Sequence, residues 1–151
     1  MKEFNWYSRE KAQFCRAFAR EHPLHAHIDI RSPQANETVF GCDGPRLSLR
    51  FHDLEPLKIR KTAAFNNEPD IGEIMIRECF REDQAREIAR FVRGTDVPFF
   101  FVNCEAGISR SAGVVLALRK FFGGSTEEVH QKAHPNPHVS DLLYQVLLEG
   151  E

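Results

Sequence analysis

The sequence predicts an α/β fold in which helices flank a central, mostly parallel sheet of four or five strands. Short apolar stretches of strand length alternate along the chain with segments that are apolar at helical spacing. No internal repeat or low-complexity linker interrupts this alternation, and 151 residues is the size of one domain with a substantial core. We therefore treat residues 1–151 as a single domain.

The first half of the chain contains three predicted strands and one predicted helix. The strands are residues 4–7, 26–30 and 47–51. Ser8 is placed to cap a helix that extends to about Arg20, with Ala12, Cys15, Phe18 and Ala19 on one face. Residues 53–79 have no clear period, so we expect a long irregular segment there, and segments of that length are either functional or simple insertions.

The second half contains a predicted strand and several helices. A helix is expected over residues 80–92, with Asp83 favouring its first turn electrostatically, then a strand over 97–102 and a helix over 111–122 that Gly123 ends. Ser125 begins a capping box with Glu128, and Asn136 before a proline caps the last helix. The apolar stripe of that helix is Val139, Leu142, Leu143, Val146 and Leu147. We assign Phe99, Phe100, Phe101, Phe121 and Phe122 to the core.

The segment from Cys104 to Ser111 joins the fourth predicted strand to the helix that follows it. Backbone N–H groups at a helix start lack partners within the helix and carry a partial positive charge, so the segment favours anions. It contains no proline, and every N–H group is therefore available to a phosphate oxygen. The candidate phosphate-binding residues are Glu105, Ala106, Gly107, Ile108, Ser109 and Arg110.

The same segment has the residues needed for nucleophilic catalysis. Cysteine at a helix N-terminus near arginine is more acidic than a free thiol, which makes Cys104 the candidate nucleophile. Arg110, six positions later, has a planar fork that binds two phosphoryl oxygens at once. Gly107 is expected to adopt a positive φ that turns successive amides inward. Ser111 is expected to donate a hydrogen bond to the sulfur when the sulfur is the leaving group.

The Cys-x5-Arg-Ser pattern, together with residues 47–53 and 80–92 before it, resembles the cysteine-dependent protein tyrosine phosphatases. The chain is most similar to small prokaryotic members of the dual-specificity-like branch. This resemblance implies a phosphatase-like fold and hydrolysis of phosphotyrosine, phosphoserine or phosphothreonine in proteins through a phosphocysteine. It also implies that no metal ion or other cofactor takes part. One departure is Asn103, because the family has histidine at that position, and we expect a less acidic thiol than in relatives with histidine.

A phosphatase of this kind also needs a general acid, and Asp53 is our first candidate. It follows a predicted strand, and ligands of open α/β sheets bind beyond the carboxyl ends of the strands. The resemblance puts the acid at the same position. Asp70 is the alternative, because it lies in a long segment that could close as a lid and recognise substrate.

The composition of the chain excludes several classes of binding partner and several kinds of site. Lys and Arg number 20 against 22 Asp and Glu, a net charge of −2, so neither nucleic acid nor an anionic membrane is expected as a partner. We expect a cytoplasmic protein, because neither a signal peptide nor a membrane-spanning run is evident. The four cysteines show no CxxC spacing, which disfavours a zinc cluster and a disulfide scaffold. His22, His25 and His27 do not complete a metal site, and His134 and His138 are assigned to exposed turns.

Two other functions remain open for the loop. A phosphate-binding pseudophosphatase would have the same features without turnover. A phosphatase of small phosphorylated molecules is less favoured, because Glu105 stands in the loop where a polyanionic substrate would require positive charge. Sulfur-transferase and arsenate-reducing enzymes also use a cysteine in an anion-binding loop, but an upstream acid favours hydrolysis. The sequence does not predict an oligomeric state.

Overall fold

The computed structural model of the protein describes residues 1–8, 22–35, 44–105 and 107–150. Within these ranges four parallel strands form one sheet in the order β1-β4-β2-β3. The strands are β1 (Glu3–Ser8), β2 (His25–Arg31), β3 (Arg46–Arg50) and β4 (Phe99–Cys104). The predicted α/β class with a central parallel sheet is confirmed. The predicted helix that Ser8 would cap, extending to about Arg20, lies outside the described residues. Cys15, Cys42 and Ala106 also lie outside them.

Six helices are present in the described part of the chain. They are α1 (Pro56–Phe65), α2 (Pro69–Arg77), α3 (Glu82–Gly94), α4 (Arg110–Phe122), α5 (Thr126–Lys132) and α6 (Pro137–Leu148). Helix α4 contacts β1 and β4, and α6 packs against both α3 and α4. Helices α1 and α2 pack on each other. Helices α3 and α4 begin within two residues of the starts predicted from the sequence.

One face of the sheet forms the hydrophobic core with the helices. Phe4, Ile28, Phe100 and Val102 come from this face and are 2% exposed or less. They belong to one cluster with apolar side chains of α3, α4 and α6. Burying each large apolar side chain stabilises the fold by roughly 1.5–3 kcal/mol. The core therefore holds β4 and α4 rigidly on either side of the Cys104 loop.

The prediction of an irregular segment over residues 53–79 is wrong, because α1 and α2 occupy most of these residues. Both helices begin with proline, at Pro56 and Pro69, a residue favoured at the first helical position. Lys58, Arg60 and Lys61 lie within α1, so the apolar residues of this segment show only a weak helical period. In α2, a Cβ added at Gly72 would lie 2.6 Å from the Ala63 Cβ. The glycine therefore allows the two helices to approach closely.

The predicted helix caps and electrostatics agree with the structure at several ends. Ser125 Oγ accepts a hydrogen bond from the Glu128 N–H at 3.1 Å, and the Asn136 side chain caps α6. The last-helix stripe is buried apart from Leu142, which is partly buried. Asp83 lies in the first turn of α3, where a hydrogen bond from Arg81 lowers the pKa of its carboxyl group.

Two surface assignments need correction. Phe121 was expected in the core but is 38% exposed, because it lies in the last turn of α4 at the edge of the packed helices. His138 was expected in an exposed turn but lies half-buried in the first turn of α6. Its Nε2 is 2.8 Å from the carbonyl oxygen of Phe80, so the ring links α6 to the start of α3. No helix among the described residues combines the length and apolar character needed to cross a membrane.

Candidate active site

The candidate site lies at the carboxyl end of the sheet, where β4 continues into the loop before α4. Cys104 is the last residue of β4 and is only 2% exposed. Helix α4 begins at Arg110 and is 13 residues long, so its positive N-terminal end faces the same loop. The sequence therefore folds locally as predicted, with a buried thiol at a strand end and a helix start close behind it.

Gly107 gives the loop its tight curve. Its φ is +70°, in the region that favours glycine, as predicted. Its N–H donates a hydrogen bond to the Cys104 Sγ at 3.2 Å, so this amide points into the loop. A Cβ at residue 107 would lie 2.3 Å from the backbone nitrogen of Ser8, because β1 ends directly against the loop. Both the backbone angle and the space require glycine.

The outer side of the loop is held by the connection between α5 and α6. The His134 N–H donates to the Ile108 carbonyl at 2.9 Å, and the Asn136 N–H donates to the Ser109 carbonyl at 3.0 Å. In a trans peptide the N–H and C=O groups point in opposite directions. The N–H groups of Ser109 and Arg110, in the same two peptide units, therefore point away from this connection.

Ser111 is completely buried and contacts the thiol. Its Oγ lies 3.1 Å from the Cys104 Sγ, on the first turn of α4. When the sulfur is ionised it only accepts, so the hydroxyl is the donor. The contact between these two side chains is the one that the spacing predicted.

The guanidinium of Arg110 is fixed rather than free to swing in solvent. Arg110 is 6% exposed, and its Nη1 donates to the Phe51 carbonyl at 3.0 Å and to the Ser32 Oγ at 3.2 Å. Its Nη2 lies 3.9 Å from the Glu105 Oε2. These partners orient the planar group beneath the loop and leave other N–H bonds for an anion.

Asp53 is attached directly to the loop. Its Oδ1 accepts hydrogen bonds from the Ser109 Oγ at 2.6 Å and from the Asn136 Nδ2 at 2.9 Å. The Asp53 side chain is exposed, so a substrate can reach the carboxylate. The alternative acid, Asp70, lies exposed in the first turn of α2. The structure thus brings Asp53 together with the cysteine loop and puts Asp70 on a separate helix.

A buried polar network lies on the other face of the sheet, directly behind the loop. The Asn103 Nδ2 donates to the Asp29 Oδ1 at 2.9 Å, and the Asn103 carbonyl oxygen contacts the His27 Nε2. Asp29 also accepts from the Arg31 Nε at 2.7 Å. These four side chains are at most 6% exposed. Neighbouring residues of a strand face opposite sides, so Asn103 points away from the Cys104 thiol.

Burial governs the charge of His27 in this network. The pKa of the imidazole is lowered, chiefly by desolvation, although the Asn103 hydrogen bond and the Asp29 charge act to raise it. Arg46 and His25 lower it further. A neutral His27 donates its Nε2–H to Asn103, which leaves the Asn103 amide nitrogen to donate to Asp29.

Three residues of the site were missed or only partly recognised in the sequence. Ser32 and Asp29 had no local signal, because the residues they contact at the loop, Arg110 and Asn103, lie more than 70 positions away in the chain. Asn136 was predicted only as a helix cap, but its Nδ2 also holds Asp53. Among residues 1–8, 22–35, 44–105 and 107–150, no three His, Cys, Asp or Glu side chains form a group able to hold a metal ion.

Solved structures share this architecture. The human tyrosine phosphatase-like serine/threonine/tyrosine-interacting protein superposes with a TM-score of 0.55 at 18% identity, covering 97% of this chain and 91% of its own. The Yvh1 phosphatase domain from Chaetomium thermophilum gives a TM-score of 0.50 at 15% identity, covering 99% and 93%. The chain has the fold of the cysteine-dependent tyrosine and dual-specificity phosphatases.

The phosphatase-like fold predicted from the signature loop is therefore confirmed for the chain. No protein-family model matches the sequence, and no curated protein does so either. Identities of 18% and 15% establish the phosphatase fold alone. One of the two neighbours is named a phosphatase domain and the other only phosphatase-like, so the activity has to be argued from the site.

Proposed function

We propose that this protein is a metal-independent phosphomonoester hydrolase that acts on phosphotyrosine, and on phosphoserine or phosphothreonine, in proteins. The observation that carries the proposal is the environment of one sulfur atom. The Cys104 Sγ has the Gly107 N–H at 3.2 Å and the Ser111 hydroxyl at 3.1 Å, at the start of α4. Phosphorylated proteins of the cytoplasm are the proposed substrates.

The proposed reaction has two steps. In the first, the Cys104 thiolate attacks phosphorus while the bond to the leaving oxygen breaks, and Asp53 gives that oxygen its proton. In the second, Asp53 takes a proton from water, which attacks the phosphocysteine and releases inorganic phosphate. The sulfur leaves as a thiolate, and the Ser111 hydroxyl donates to it. Loop N–H groups and Arg110 stabilise the equatorial oxygens in both transition states.

The loop supports this reaction more than it supports a site for polyanionic small molecules. The residue that follows Cys104 is Glu105, whose carboxylate approaches the Arg110 guanidinium at 3.9 Å. Part of the positive charge that would attract further phosphates is therefore offset. A single phosphoryl group needs only the loop amides and the arginine fork.

The two buried cysteines of the described chain provide a matched test. We expect Cys104→Ser to abolish hydrolysis of an aryl phosphate and still bind inorganic phosphate, because the hydroxyl is not ionised but the amides remain. Cys79→Ser is the control, since burial raises the pKa of that thiol and its Sγ donates to the Met75 carbonyl at 3.7 Å. Phosphate binding without turnover in the wild type would identify a pseudophosphatase instead.

Arg110→Lys tests the bidentate contact separately. Because lysine keeps the charge but lacks the planar fork, we expect kcat/KM to fall by roughly 10²- to 10³-fold. Equal rates for this variant and the wild type would remove Arg110 from the proposed mechanism. Treatment with EDTA should leave the wild-type rate unchanged, and restoration of a lost rate by zinc would contradict the cysteine mechanism.

A further inference from the structure

Helices α1 and α2 line a groove to which the proposed acid, Asp53, also contributes. The groove has a volume of about 440 Å³. This volume lies in the range of small ligand pockets. Its apolar lining comes from both helices and the turn before them: Leu54, Ile59, Ala63, Ile71 and Met75. We call this feature the hairpin groove.

The apolar surface of the hairpin groove is accessible. Ile59 is 7% exposed and forms part of the floor, whereas Ile71 is 52% exposed and Met75 is 38% exposed. The absence of a side chain at Gly72 allows the two helices to approach closely at Ala63, and both residues line the groove. Exposed apolar surface gathered in one concave place is typical of a binding site rather than of ordinary protein surface.

The charges around the groove restrict what it can bind. Its lining has three carboxylates, Asp53, Glu55 and Glu68, against one ammonium group, Lys58. The Lys58 Nζ is already paired with the Glu55 Oε2 at 2.6 Å. A ligand with several phosphates, or a strongly acidic peptide, would be repelled from this lining.

We propose that the hairpin groove binds an apolar side chain that neighbours the phosphorylated residue of a protein substrate. This inference rests on the proposed function, because Asp53 can protonate the leaving oxygen only when the substrate lies against it. The residues that flank the phosphorylated one are then within reach of the groove that Asp53 helps to line. The site therefore selects phosphorylated protein segments with a large apolar residue close to the phosphate.

Two exposed isoleucines of α2 allow a matched test. Ile71 lines the groove and is 52% exposed, whereas Ile74 does not line it and is 57% exposed. We would measure kcat/KM for phosphotyrosine peptides with leucine, alanine or glutamate at each of the three positions on either side. The wild type should prefer leucine over alanine by about tenfold or more at one or two positions. Ile71→Glu should lose most of that preference, and Ile74→Glu should keep it.

Two outcomes would overturn the inference while leaving the proposed hydrolysis intact. These are equal kcat/KM for leucine, alanine and glutamate peptides, and equal loss of preference in Ile71→Glu and Ile74→Glu. Faster hydrolysis of inositol polyphosphates than of any peptide would contradict both the inference and the proposed protein substrates. If the wild type hydrolyses no phosphate ester, the proposed function fails. Binding of the same peptides to the Cys104→Ser protein, measured by fluorescence anisotropy, then still tests the leucine preference.

Discussion

Neighbouring residues of β4 have different surroundings because successive side chains of a strand point to opposite faces of the sheet. Cys104 faces the core and the loop, where Ser111 and the Gly107 N–H meet its sulfur. Asn103 faces the other side, where Asp29 and His27 engage its amide. A substitution at Asn103 therefore changes a buried network as well as the backbone next to Cys104.

The neutral state of His27 makes the stability of the fold depend on pH. Burial lowers the pKa of His27 in the folded protein, so near and below pH 6.5, the ordinary value of histidine, the unfolded chain binds more protons. The stability that neutral His27 contributes is therefore fully present above about pH 6.5. It is lost as the pH falls towards the lower pKa of His27 in the folded protein. The loss has an upper limit of about 1.4 kcal/mol for each pH unit in this window.

Urea unfolding of wild type and His27→Gln at pH 7.5 and 5.5 would measure this contribution. Glutamine keeps an N–H donor for Asn103 and does not titrate. We expect the free energy of unfolding to fall more in the wild type than in the variant between these two pH values. The other histidines titrate in both proteins, so they cancel in the comparison. Equal losses would show that folding does not lower the pKa of His27.

The two candidate acids should differ in their dependence on the leaving group. Asp53 is bonded to the loop through Ser109, whereas Asp70 is on α2. We expect Asp53→Asn to lower kcat by about 10²- to 10⁴-fold for alkyl phosphates with basic leaving groups, and much less for activated aryl phosphates. A weakly basic leaving oxygen needs little protonation. Asp70→Asn should show no such dependence, and the reverse pattern would assign the acid to Asp70.

At the scale of elements, the loop between β4 and α4 depends on its contact with the end of β1. Gly107→Ala would require a Cβ both at φ +70° and within 2.3 Å of the Ser8 nitrogen. The loop must then shift, and a displacement of about 1 Å in a catalytic group costs roughly 10²-fold in rate. We expect a loss of aryl phosphatase activity of at least about that size.

Gly94→Ala is the matched control for the loop substitution. An added Cβ at Gly94, the last residue of α3, meets no atom within 4 Å. We expect unchanged activity and a gain in stability of up to about 1 kcal/mol, because alanine has less conformational freedom to lose. If both variants kept full activity, the loop geometry would not be essential to the reaction.

At the scale of the whole molecule, one buried arginine joins the edge strand to the helices. Arg119 of α4 is 8% exposed, and its Nε and Nη2 donate to the Phe4 carbonyl of β1 at 3.0 and 2.8 Å. Its Nη1 donates to the Ser125 carbonyl at 2.9 Å. The guanidinium thus holds β1, α4 and the start of α5 together around the same core that supports the Cys104 loop.

Arg119→Met should destabilise the protein without touching the chemistry. Methionine keeps much of the apolar stem but leaves the Phe4 carbonyl without its donor, at a cost of roughly 1–3 kcal/mol. We expect Tm to fall by about 2–4 °C for each kcal/mol lost. The control is Arg86→Met, which removes the surface ion pairs with Glu82 and Glu149 and should change Tm little. A smaller effect at Arg119 than at Arg86 would contradict this role.

The sequence by itself determined the features that depend on neighbouring residues. The strands, the helix caps at Ser125 and Asn136, and the curve at Gly107 are local, because period, capping and φ preference act within a few residues. The alternation of these elements was enough to predict a parallel α/β sheet. The loop from Cys104 to Ser111 was predicted for the same reason, since its strand, turn and helix are contiguous.

Only the tertiary structure decided which distant residues meet. Asn103 reaches Asp29 across 74 positions because β4 lies beside β2 in the sheet. Asp53, which follows β3, reaches Ser109 across 56 positions. Periodicity contains no information about strand order. Helices α1 and α2 were not predicted, because charged residues and Gly72 interrupt the apolar period of the two segments. Their apolar faces become recognisable only when the helices pack together. The hairpin groove is a product of that packing, and no segment of the sequence forms it alone.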